Sequence, residues 1–555
     1  MRVLHRVRAL GESIQHTELR YATAVASVQE ARADRGAHPW SQRLGVWWIA
    51  EDHPDQPAIA ASPSDLILTF GELAGRAHQV VHAVRARGLQ KGDIVAYALP
   101  NDVDTVVWQL AMQESGIRSV ALNPSLSPAE MGAILEHAGA AGLVLDYRFA
   151  ERSAEVTRSV ALRLRVGVGG AIDGFVQQEE LLAGHPTTTP GDRTLGVPIA
   201  YSSGTTGRPK AIVRPTPEVD PAVAADAMKT FGHAFRFLPL EGAHLVSAGM
   251  HHGGCQSFYH GALNVGQALV IQGKFDPDEA LALIERHTVT TAYMVPTQFV
   301  RFLKLPAEVR RRYDVSSLQS VVHAAAPCPL EIKRQMFEWW GPVIWETYGG
   351  MEGAATVAKP DRWLEKPGTV GRAVKGMRVM ILDDDGTELP AGEIGNVYME
   401  SEGPAFEYGG DPDATEAAYR GKAFTIGDVG YLDEDGYLFL CDRLRDIIIS
   451  GGVNIYPAEV EGVLQTHPSV ADVAVIGVPD PEWGESVKAV VELDDGVEPS
   501  GELAGDLRAW CRERLAGYKC PRSIDFRDTL PRREDGKLLK RLLRDEYWAG
   551  TGRSL

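Results

Sequence analysis

From residue 93 onward, the sequence alternates between short apolar runs and longer amphipathic stretches. Residues 94–99 (IVAYAL) are predicted to form a buried strand, residues 103–114 a helix and residues 119–122 a second strand. Strands that alternate with helices along a chain form parallel sheets that the helices cover on both faces. The sequence therefore predicts an α/β fold.

Helix start signals continue this alternation. Residues 127–130 (SPAE) combine a capping box with proline at the first helical position, and the helix is expected to end near His137. Residues 276–279 (DPDE) open a later helix in the same way. Further strands are predicted at residues 143–145, 268–271 and 291–295.

The chain is expected to contain more than one domain, because hydrophobic cores usually stop growing at about 250 to 300 residues and this chain has 555. After Asp442 the alternation gives way to a small α+β pattern. Its predicted elements are helix 458–464, strand 470–475, strand 487–492 and helix 502–515. The predicted division is an N-terminal helical extension (1–40), a large domain with parallel-rich sheets and a β-rich subdomain (41–444), and a small mobile C-terminal domain (445–555).

Charge and cysteine content exclude several classes of function. The formal net charge of −18 repels nucleic-acid backbones and anionic lipid, so no nucleic-acid partner is expected. The five cysteines are widely spaced and form no zinc-binding pattern, which is typical of reduced thiols in a cytoplasmic protein. No apolar run approaches the roughly 18 residues of a membrane span, so stable membrane insertion is not expected.

A glycine-rich loop at residues 201–210 (YSSGTTGRPK) follows the predicted strand 197–200. Its glycines allow backbone N–H groups to approach phosphate oxygens, its hydroxyls are further donors, and Lys210 offsets negative charge. The loop is not a Walker A motif, because Lys210 is followed by Ala211. It favours a phosphate site over the alternative of a flexible surface turn.

Residues 203–210 (SGTTGRPK) resemble the phosphate loop of the adenylate-forming superfamily, which includes acyl-CoA synthetases, peptide-synthetase adenylation domains and firefly luciferase. The resemblance covers residues 45–545, and within the superfamily the chain is most similar to bacterial acyl-CoA ligases. The other motifs appear in the superfamily's order, at residues 345–353 (WETYGGMEG), 425–428 (TIGD), 442–443 (DR), 449–459 (ISGGVNIYPAE) and 530–537 (LPRREDGK).

The resemblance implies a site for ATP and Mg²⁺. It assigns the metal to Thr205 and Glu352, whose hard oxygens suit magnesium. It also assigns binding of the ribose hydroxyls to Asp428 and a further nucleotide contact to Arg443. The full set that it implies for ATP is Ser202, Ser203, Gly204, Thr205, Thr206, Gly207, Ala325, Ala326, Pro327, Glu346, Thr347, Tyr348, Gly349, Met351, Asp428 and Arg443.

The resemblance also assigns the catalytic groups, which are Lys537 in the C-terminal motif together with Lys210 and Glu352. It places a hinge at Arg445, where the superfamily usually has aspartate or lysine. Gly451 and Gly452 are expected to leave a path for the pantetheine arm of CoA, and a tight turn is the alternative interpretation of the two glycines.

The acyl group is expected to lie beside His252 and several small or apolar residues. A histidine that is simply buried in the core is the alternative for His252. The full acyl-binding set is His252, Gly253, Cys255, Ala324, Gly349, Gly350 and Met351. Met351 replaces the usual threonine that bonds to the α-phosphate, so it either slows adenylation or adds an apolar wall for a bulky acid.

The leading hypothesis is an ATP-dependent acid:CoA ligase with ATP, Mg²⁺ and coenzyme A as cofactors and cosubstrate. The alternatives are a ligase that loads the phosphopantetheine of a carrier protein, and a degenerate nucleotide-binding regulatory protein, which Met351 alone suggests. Luciferase-type oxygenation is not excluded by the motifs. The identity of the acid, a fatty acid or a secondary-metabolite acid, stays open, as does a homodimer.

Overall fold

The computed structural model describes residues 39–62, 64, 66–202, 210–402, 406–443, 446–451, 453–532 and 538–549. They form two compact units. The first comprises the described residues up to Met294, Leu305–Val322 and residues 406–412, and the second comprises Val295–Lys304, residues 323–402 and the described residues from Asp413 onward. None of the described helices has both the length and the apolar character that a membrane crossing requires.

Two predictions of domain organisation concern residues outside these ranges. Of the predicted N-terminal extension, only residues 39 and 40 are described, at the start of the short 3-10 helix Pro39–Ser41. The predicted hinge Arg445 also lies outside the described residues. A domain division at Arg445 therefore stays a prediction.

The first unit contains a sheet of five parallel strands. In spatial order they are Arg118–Ala121, Ile94–Ala98, Gly142–Asp146, Leu164–Val168 and Val176–Gln177. The strands predicted at residues 94–99, 119–122 and 143–145 all belong to this sheet. The parallel arrangement predicted from the alternation is confirmed.

A second sheet of this unit is also mostly parallel. Its strands, in spatial order, are Ser320–His323, Val289–Met294, Ala243–Val246, Ala268–Gln272, Pro57–Ser62 and the antiparallel Leu66–Thr69. A small antiparallel sheet contains Glu407–Tyr408, Lys210–Val213 and Ala200–Ser202.

Helices pack on these sheets through one apolar face. In Pro128–Ala138, the buried residues Met131, Ile134 and Leu135 follow the helical spacing and join the core of the five-stranded sheet. The 3-10 helix Tyr147–Arg152 also belongs to this unit. Its α-helices are Val46–Asp52, Phe70–Ala86, Val103–Ser115, Pro128–Ala138, Ser153–Val156, Gln178–Leu182, Pro221–Ala227, Lys229–Ala234, Gly253–Val265, Pro277–Arg286 and Ala307–Arg310.

The second unit begins with antiparallel strands. Ile344–Gly350 pairs with Gly353–Ala358, which pairs with Arg372–Ala373. A six-stranded antiparallel sheet contains Tyr419–Arg420, Ala423–Phe424, Gly395–Ser401, Asp428–Leu432, Leu438–Arg443 and Met377–Leu382. The accompanying helices are Pro296–Leu303, Leu330–Trp340, Pro360–Glu365 and Pro412–Ala418.

The C-terminal part of this unit is a small α+β module, as predicted. Its sheet contains Val453–Ile455, Ile448–Ser450, Gly484–Leu493, Val470–Asp480 and Ser523–Arg527. Its helices are Pro457–Leu464, Gly501–Arg512, the 3-10 helix Gly517–Lys519 and Lys540–Trp548. The two long strands extend beyond the predicted ranges because they form one continuous antiparallel hairpin.

Both predicted helix starts are confirmed. The Ser127 hydroxyl accepts from the Glu130 N–H, and the Glu130 carboxylate accepts from the Ser127 N–H at 2.8 Å. Asp276 accepts from the Glu279 N–H at 3.0 Å, with Pro277 at the first helical position. These side chains satisfy N–H groups that a helix start otherwise leaves without a partner.

Replacing Ser127 with alanine should lower the stability of the helix Pro128–Ala138 by roughly 1 kcal/mol, because the capping bonds are lost. Hydrogen exchange of the helix amides would measure the change. Ser159→Ala, in an exposed turn, is the matched control. Equal exchange in the two variants would contradict a capping role.

Candidate active site

The two ends of the glycine-rich loop are held side by side. Residues 203–209 lie outside the described residues, but the flanking strands Ala200–Ser202 and Lys210–Val213 pair antiparallel, with Ser202 opposite Lys210. The first strand begins at Ala200, later than the predicted 197–200, and Pro198 has no N–H to donate to a ladder. The two strands that flank the loop therefore form an antiparallel pair.

Lys210 lies at the start of the second of these strands, and its ammonium is 4.6 Å from the ring centroid of Tyr408. Tyr408 is on the neighbouring strand Glu407–Tyr408, opposite Ile212. Such cation–π contacts hold a lysine in place without removing its charge. Tyr408 was not among the predicted site residues.

The strand Ile344–Gly350 carries five of the predicted site residues and turns sharply at its end. The register of the hairpin with Gly353–Ala358 shifts between Tyr348 and Gly349. A Cβ atom on Gly349 would collide with the carbonyl oxygen of Gly353. Glycine is therefore required here by the close approach of the two strands.

Glu346 forms a buried ion pair that was not predicted from the sequence. The Lys333 ammonium donates to Glu346 Oε2 at 2.6 Å and lies 4.5 Å from the centroid of the Trp363 ring. Lys333 is 1% exposed and Glu346 8%. The one sequence signal is that Lys333 shares the buried stripe of the helix Leu330–Trp340, where an apolar residue is expected.

A third titratable group approaches the same carboxylate. Nε2 of the fully buried His323 is 3.5 Å from Glu346 Oε2. Burial lowers the pKa of His323 well below its usual value and Lys333 adds to this effect, so the imidazole is neutral at pH 7. Burial raises the pKa of the Glu346 carboxyl, and Lys333 opposes the rise.

Tyr348 connects two motifs that are far apart in the sequence. Its hydroxyl donates to Asp428 Oδ2 at 2.8 Å, and both side chains are buried. Asp428 is in turn directly opposite Arg443 in the pairing of Asp428–Leu432 with Leu438–Arg443. Thr347 Oγ1 donates to the Thr356 carbonyl at 2.9 Å, which anchors the strand on its other face. Three predicted nucleotide residues thus lie together.

The loop at residues 324–329 contains a strained alanine. Ala325 has φ 73°, in the left-handed region that residues other than glycine, asparagine and aspartate rarely adopt. Its neighbours Ala324 and Ala326 are half-buried, and Pro327 is exposed. Holding this conformation costs about 1 to 3 kcal/mol, which contacts with the surrounding structure have to offset.

Glu352 lies in the turn after the strand, with its carboxylate against the backbone of Gly350. A Cβ atom on Gly350 would collide with this carboxylate. Thr205, the other predicted metal ligand, is outside the described residues. Among the residues that are described, no group of three or more His, Cys, Asp or Glu could hold a metal ion. A single hard carboxylate fits Mg²⁺, which takes one or two carboxylates together with phosphate oxygens and water.

The predicted acyl-binding residues of the first unit are at the start of the helix Gly253–Val265. His252 is its N-cap residue, and a Cβ atom on Gly254 would collide with the Tyr293 hydroxyl. Cys255 is 1% exposed, its Sγ is 3.5 Å from the Ala248 carbonyl, and burial raises the pKa of the thiol. Cys255 therefore contributes apolar volume rather than thiolate chemistry.

The loop before this helix is fixed by Asn101. Its Oδ1 accepts from the Met250 N–H at 2.8 Å, and its Nδ2 donates to the carbonyls of Ala248 at 2.9 Å and Gln272 at 3.2 Å. Residue 101 is distant in sequence and carried no signal for this role. It holds the backbone that leads to His252.

Gly451 follows the strand Ile448–Ser450 and has φ 59°. Its N–H donates to the Trp483 carbonyl at 2.8 Å, and a Cβ atom would collide with the Trp483 ring. Both conformation and space therefore require glycine at this position.

Eight predicted site residues lie outside the described residues, so their placement stays a prediction. They are Ser203, Gly204, Thr205, Thr206, Gly207, Arg445, Gly452 and Lys537. For Ser202 and Arg443, only the backbone is described. Within the second unit, the structure brings together Glu346, Tyr348, Asp428 and the backbone of Arg443.

Replacing Tyr348 with phenylalanine should raise the Kd for ATP about ten-fold or more, because hydrogen bonds to charged groups contribute about 1.5 to 3 kcal/mol. Calorimetric titration with ATP would measure the change. Tyr431→Phe removes a hydroxyl from the strand that Asp428 begins, where Tyr431 stacks on Phe439, and serves as the control. Equal Kd values for both variants would contradict a role for the Tyr348 hydroxyl.

Comparison with known proteins gives a family for the whole chain. Residues 46–408 match the family model of the AMP-binding enzymes, and residues 459–537 match the model of their C-terminal domain. A feruloyl-CoA synthase from Amycolatopsis sp is 33% identical over 523 residues, which cover 91% of this chain and 99% of the relative.

Two further proteins extend this comparison. The fatty acid–[acyl-carrier-protein] ligase ScoC of Streptomyces coeruleorubidus is 31% identical over 540 residues, covering 94% of this chain and all of the relative. The crystal structure of the anthranilate CoA ligase AuaEII with anthranoyl-AMP superposes with a TM-score of 0.81 at 26% identity, covering 92% of this chain and 99% of that one. The chain therefore belongs to the AMP-binding enzymes of the adenylate-forming superfamily, and its likeness to their bacterial acyl-CoA ligases is confirmed.

Proposed function

We propose that the chain is an AMP-forming acid:CoA ligase that converts a carboxylic acid, ATP and CoA into an acyl-CoA, AMP and pyrophosphate. The observation that carries the proposal is the hydrogen bond from Tyr348 to Asp428. It joins the WETYGGME segment to the TIGD segment, two motifs that are 80 residues apart and that the resemblance assigns to the same nucleotide. The family to which the chain belongs supports the same activity.

The first step activates the acid. A carboxylate is a poor acyl donor because oxide would have to leave. Its oxygen attacks the α-phosphorus of ATP, a bond to AMP forms, and pyrophosphate departs with the electron pair of the broken P–O bond. Because charge builds on the phosphate oxygens, catalysis depends on positioning and on nearby donors. Lys210, Lys537 and the hydroxyls of Thr205 and Thr206 are the proposed donors.

Other groups hold the nucleotide for this step. Asp428 and Arg443 would bind the ribose side, and the loop at residues 324–329 would lie beside the base. Glu352 and Thr205 would hold magnesium, which neutralises charge on the phosphate oxygens when it is bound. Glu352 is already held at the end of its hairpin against Gly350.

The second step transfers the acyl group. The CoA thiol attacks the acyl carbon, AMP leaves, the thiol proton is released, and no protein nucleophile is needed. Gly451 and Gly452 would leave a path for the pantetheine arm. Between the two steps, a rotation of the C-terminal domain about Arg445 would move Lys537 out of the site and bring the path for the pantetheine arm to it.

The acid is proposed to be an aryl acid or a fatty acid, since relatives named for feruloyl-CoA and for fatty acids both match over almost their whole length. Met351 is half-buried beside the turn of Glu352 and would add apolar surface next to such a group. The ScoC relative supports a second candidate function, in which the acceptor is the phosphopantetheine of a carrier protein.

The proposed function is tested by pyrophosphate release with a panel containing ferulate, anthranilate, cinnamate and fatty acids of increasing length. Release that depends on one acid class, followed by thioester formation with CoA, is the expected result. A phosphopantetheinylated carrier protein in place of CoA distinguishes the second candidate. Absence of release with every acid, although ATP binds, would instead favour a regulatory nucleotide-binding protein.

Replacing Lys537 with alanine should slow adenylation by about 100-fold or more, because a donor to the transition state is lost. Thioester formation from supplied acyl adenylate and CoA should change by less than about three-fold, since the lysine has no part in that step. Rapid-quench assays of both half-reactions would measure the rates. An equal loss of rate in both half-reactions would contradict the assignment of Lys537 to adenylation alone.

A further inference from the structure

Residues at both ends of the loop at residues 324–329 lie close to one oxygen atom. His323, directly before the loop, has Nε2 3.5 Å from Glu346 Oε2. Lys333, in the first turns of the helix that follows, donates to the same oxygen at 2.6 Å. Under the proposed function, the loop and the strand of Glu346 flank the base of ATP.

The buried Lys333–Glu346 pair is not expected to stabilise the fold more than an apolar pair would. Taking both charges out of water is costly, and well-packed apolar residues at such positions are often neutral or stabilising. The helix stripe around Lys333 is otherwise apolar, with Met336, Phe337 and Trp340 buried. Holding the carboxylate in one orientation is something that an apolar pair could not do.

The strand of Glu346 is anchored at two points on one face. Glu346 and Tyr348 are two residues apart, so their side chains leave the same face of the strand. Lys333 holds the first side chain and Asp428 accepts from the second. The strand is therefore fixed at Glu346 to the helix Leu330–Trp340 and at Tyr348 to Asp428.

We propose that Lys333 is a positioning residue for nucleotide binding, which acts by holding Glu346 and, through it, the loop at residues 324–329. This role rests on the proposed function but is separate from the residues assigned to ATP there. Without Lys333, the buried Glu346 carboxylate lacks its counter-charge and either takes up a proton or turns toward water. Both outcomes remove the contact that joins the strand of Glu346 to the helix directly after the loop.

A double-mutant cycle tests this role. Calorimetric titration with Mg-ATP, without any acid, gives the Kd for the wild type, Lys333→Met, Glu346→Gln and the double variant. Each single change is expected to raise the Kd about ten-fold. The Kd of the double variant is expected to be no higher than that of the single variant that binds more weakly, because both changes act through one interaction. The KM for ATP in pyrophosphate release should rise as the Kd does, while kcat stays within about two-fold.

A closely matched control exists in the C-terminal module. Lys488 pairs with Asp525 at 2.8 Å and lies 4.8 Å from the centroid of the Tyr547 ring, so it has the same types of partner as Lys333 in a more exposed position. Lys488→Met should lower thermal stability in the same direction yet leave the Kd for ATP unchanged. Lys333→Gln, which keeps a hydrogen-bond donor, replaces Lys333→Met if that variant does not fold.

The possible results separate the two proposals. An unchanged Kd in the Lys333 variants, or a double variant whose loss is the product of the two single losses, would overturn the positioning role. Wild-type protein that binds no ATP would overturn the proposed function, and the positioning role with it. Wild-type binding with a coupled loss in the cycle supports the positioning role, whereas the proposed function also requires pyrophosphate release with an acid.

Discussion

A carboxylate that is wholly or partly withdrawn from water needs a positive partner or hydrogen-bond donors, and Glu114, Glu346 and the half-buried Glu461 are examples that join elements of this fold. Glu114 is fully buried and lies 2.8 Å from Arg193 Nε. Glu346 connects its strand to the helix of Lys333. Glu461 lies 2.8 Å from the ammonium of Lys540, at the start of the helix Lys540–Trp548. Because a lone charge at any of these positions is costly, the pairs determine which elements pack together.

Much of the fold could be predicted because its signals are local. The capping box at Ser127 and the apolar runs of the parallel strands depend only on neighbouring residues, and both agree with the structure. Strand order could not be predicted, since it depends on contacts between distant segments. The strand before the glycine-rich loop was placed too early because apolar character was counted at Pro198, which cannot donate to a ladder.

The candidate site divides in the same way. Tyr348, Asp428 and Glu346 could be predicted as site residues because they stand in recognisable motifs, although nothing in those motifs shows that Tyr348 and Asp428 are bonded. The contacts of Lys333 and Tyr408 could not be predicted, since the sequence does not reveal the partner of either residue. The left-handed backbone of one alanine in the loop at residues 324–329 was equally invisible, because tertiary contacts rather than local preference impose it.

The contact between Gly451 and Trp483 has a practical consequence. The indole lies against the backbone of the ISGG segment and is 40% exposed, so it is sensitive both to that segment and to solvent. Protein labelled with 5-fluorotryptophan would give ¹⁹F resonances from its 11 tryptophans, and Trp483→Phe would assign the one at this position. The chain thus contains its own spectroscopic probe at the place where the pantetheine arm is proposed to pass.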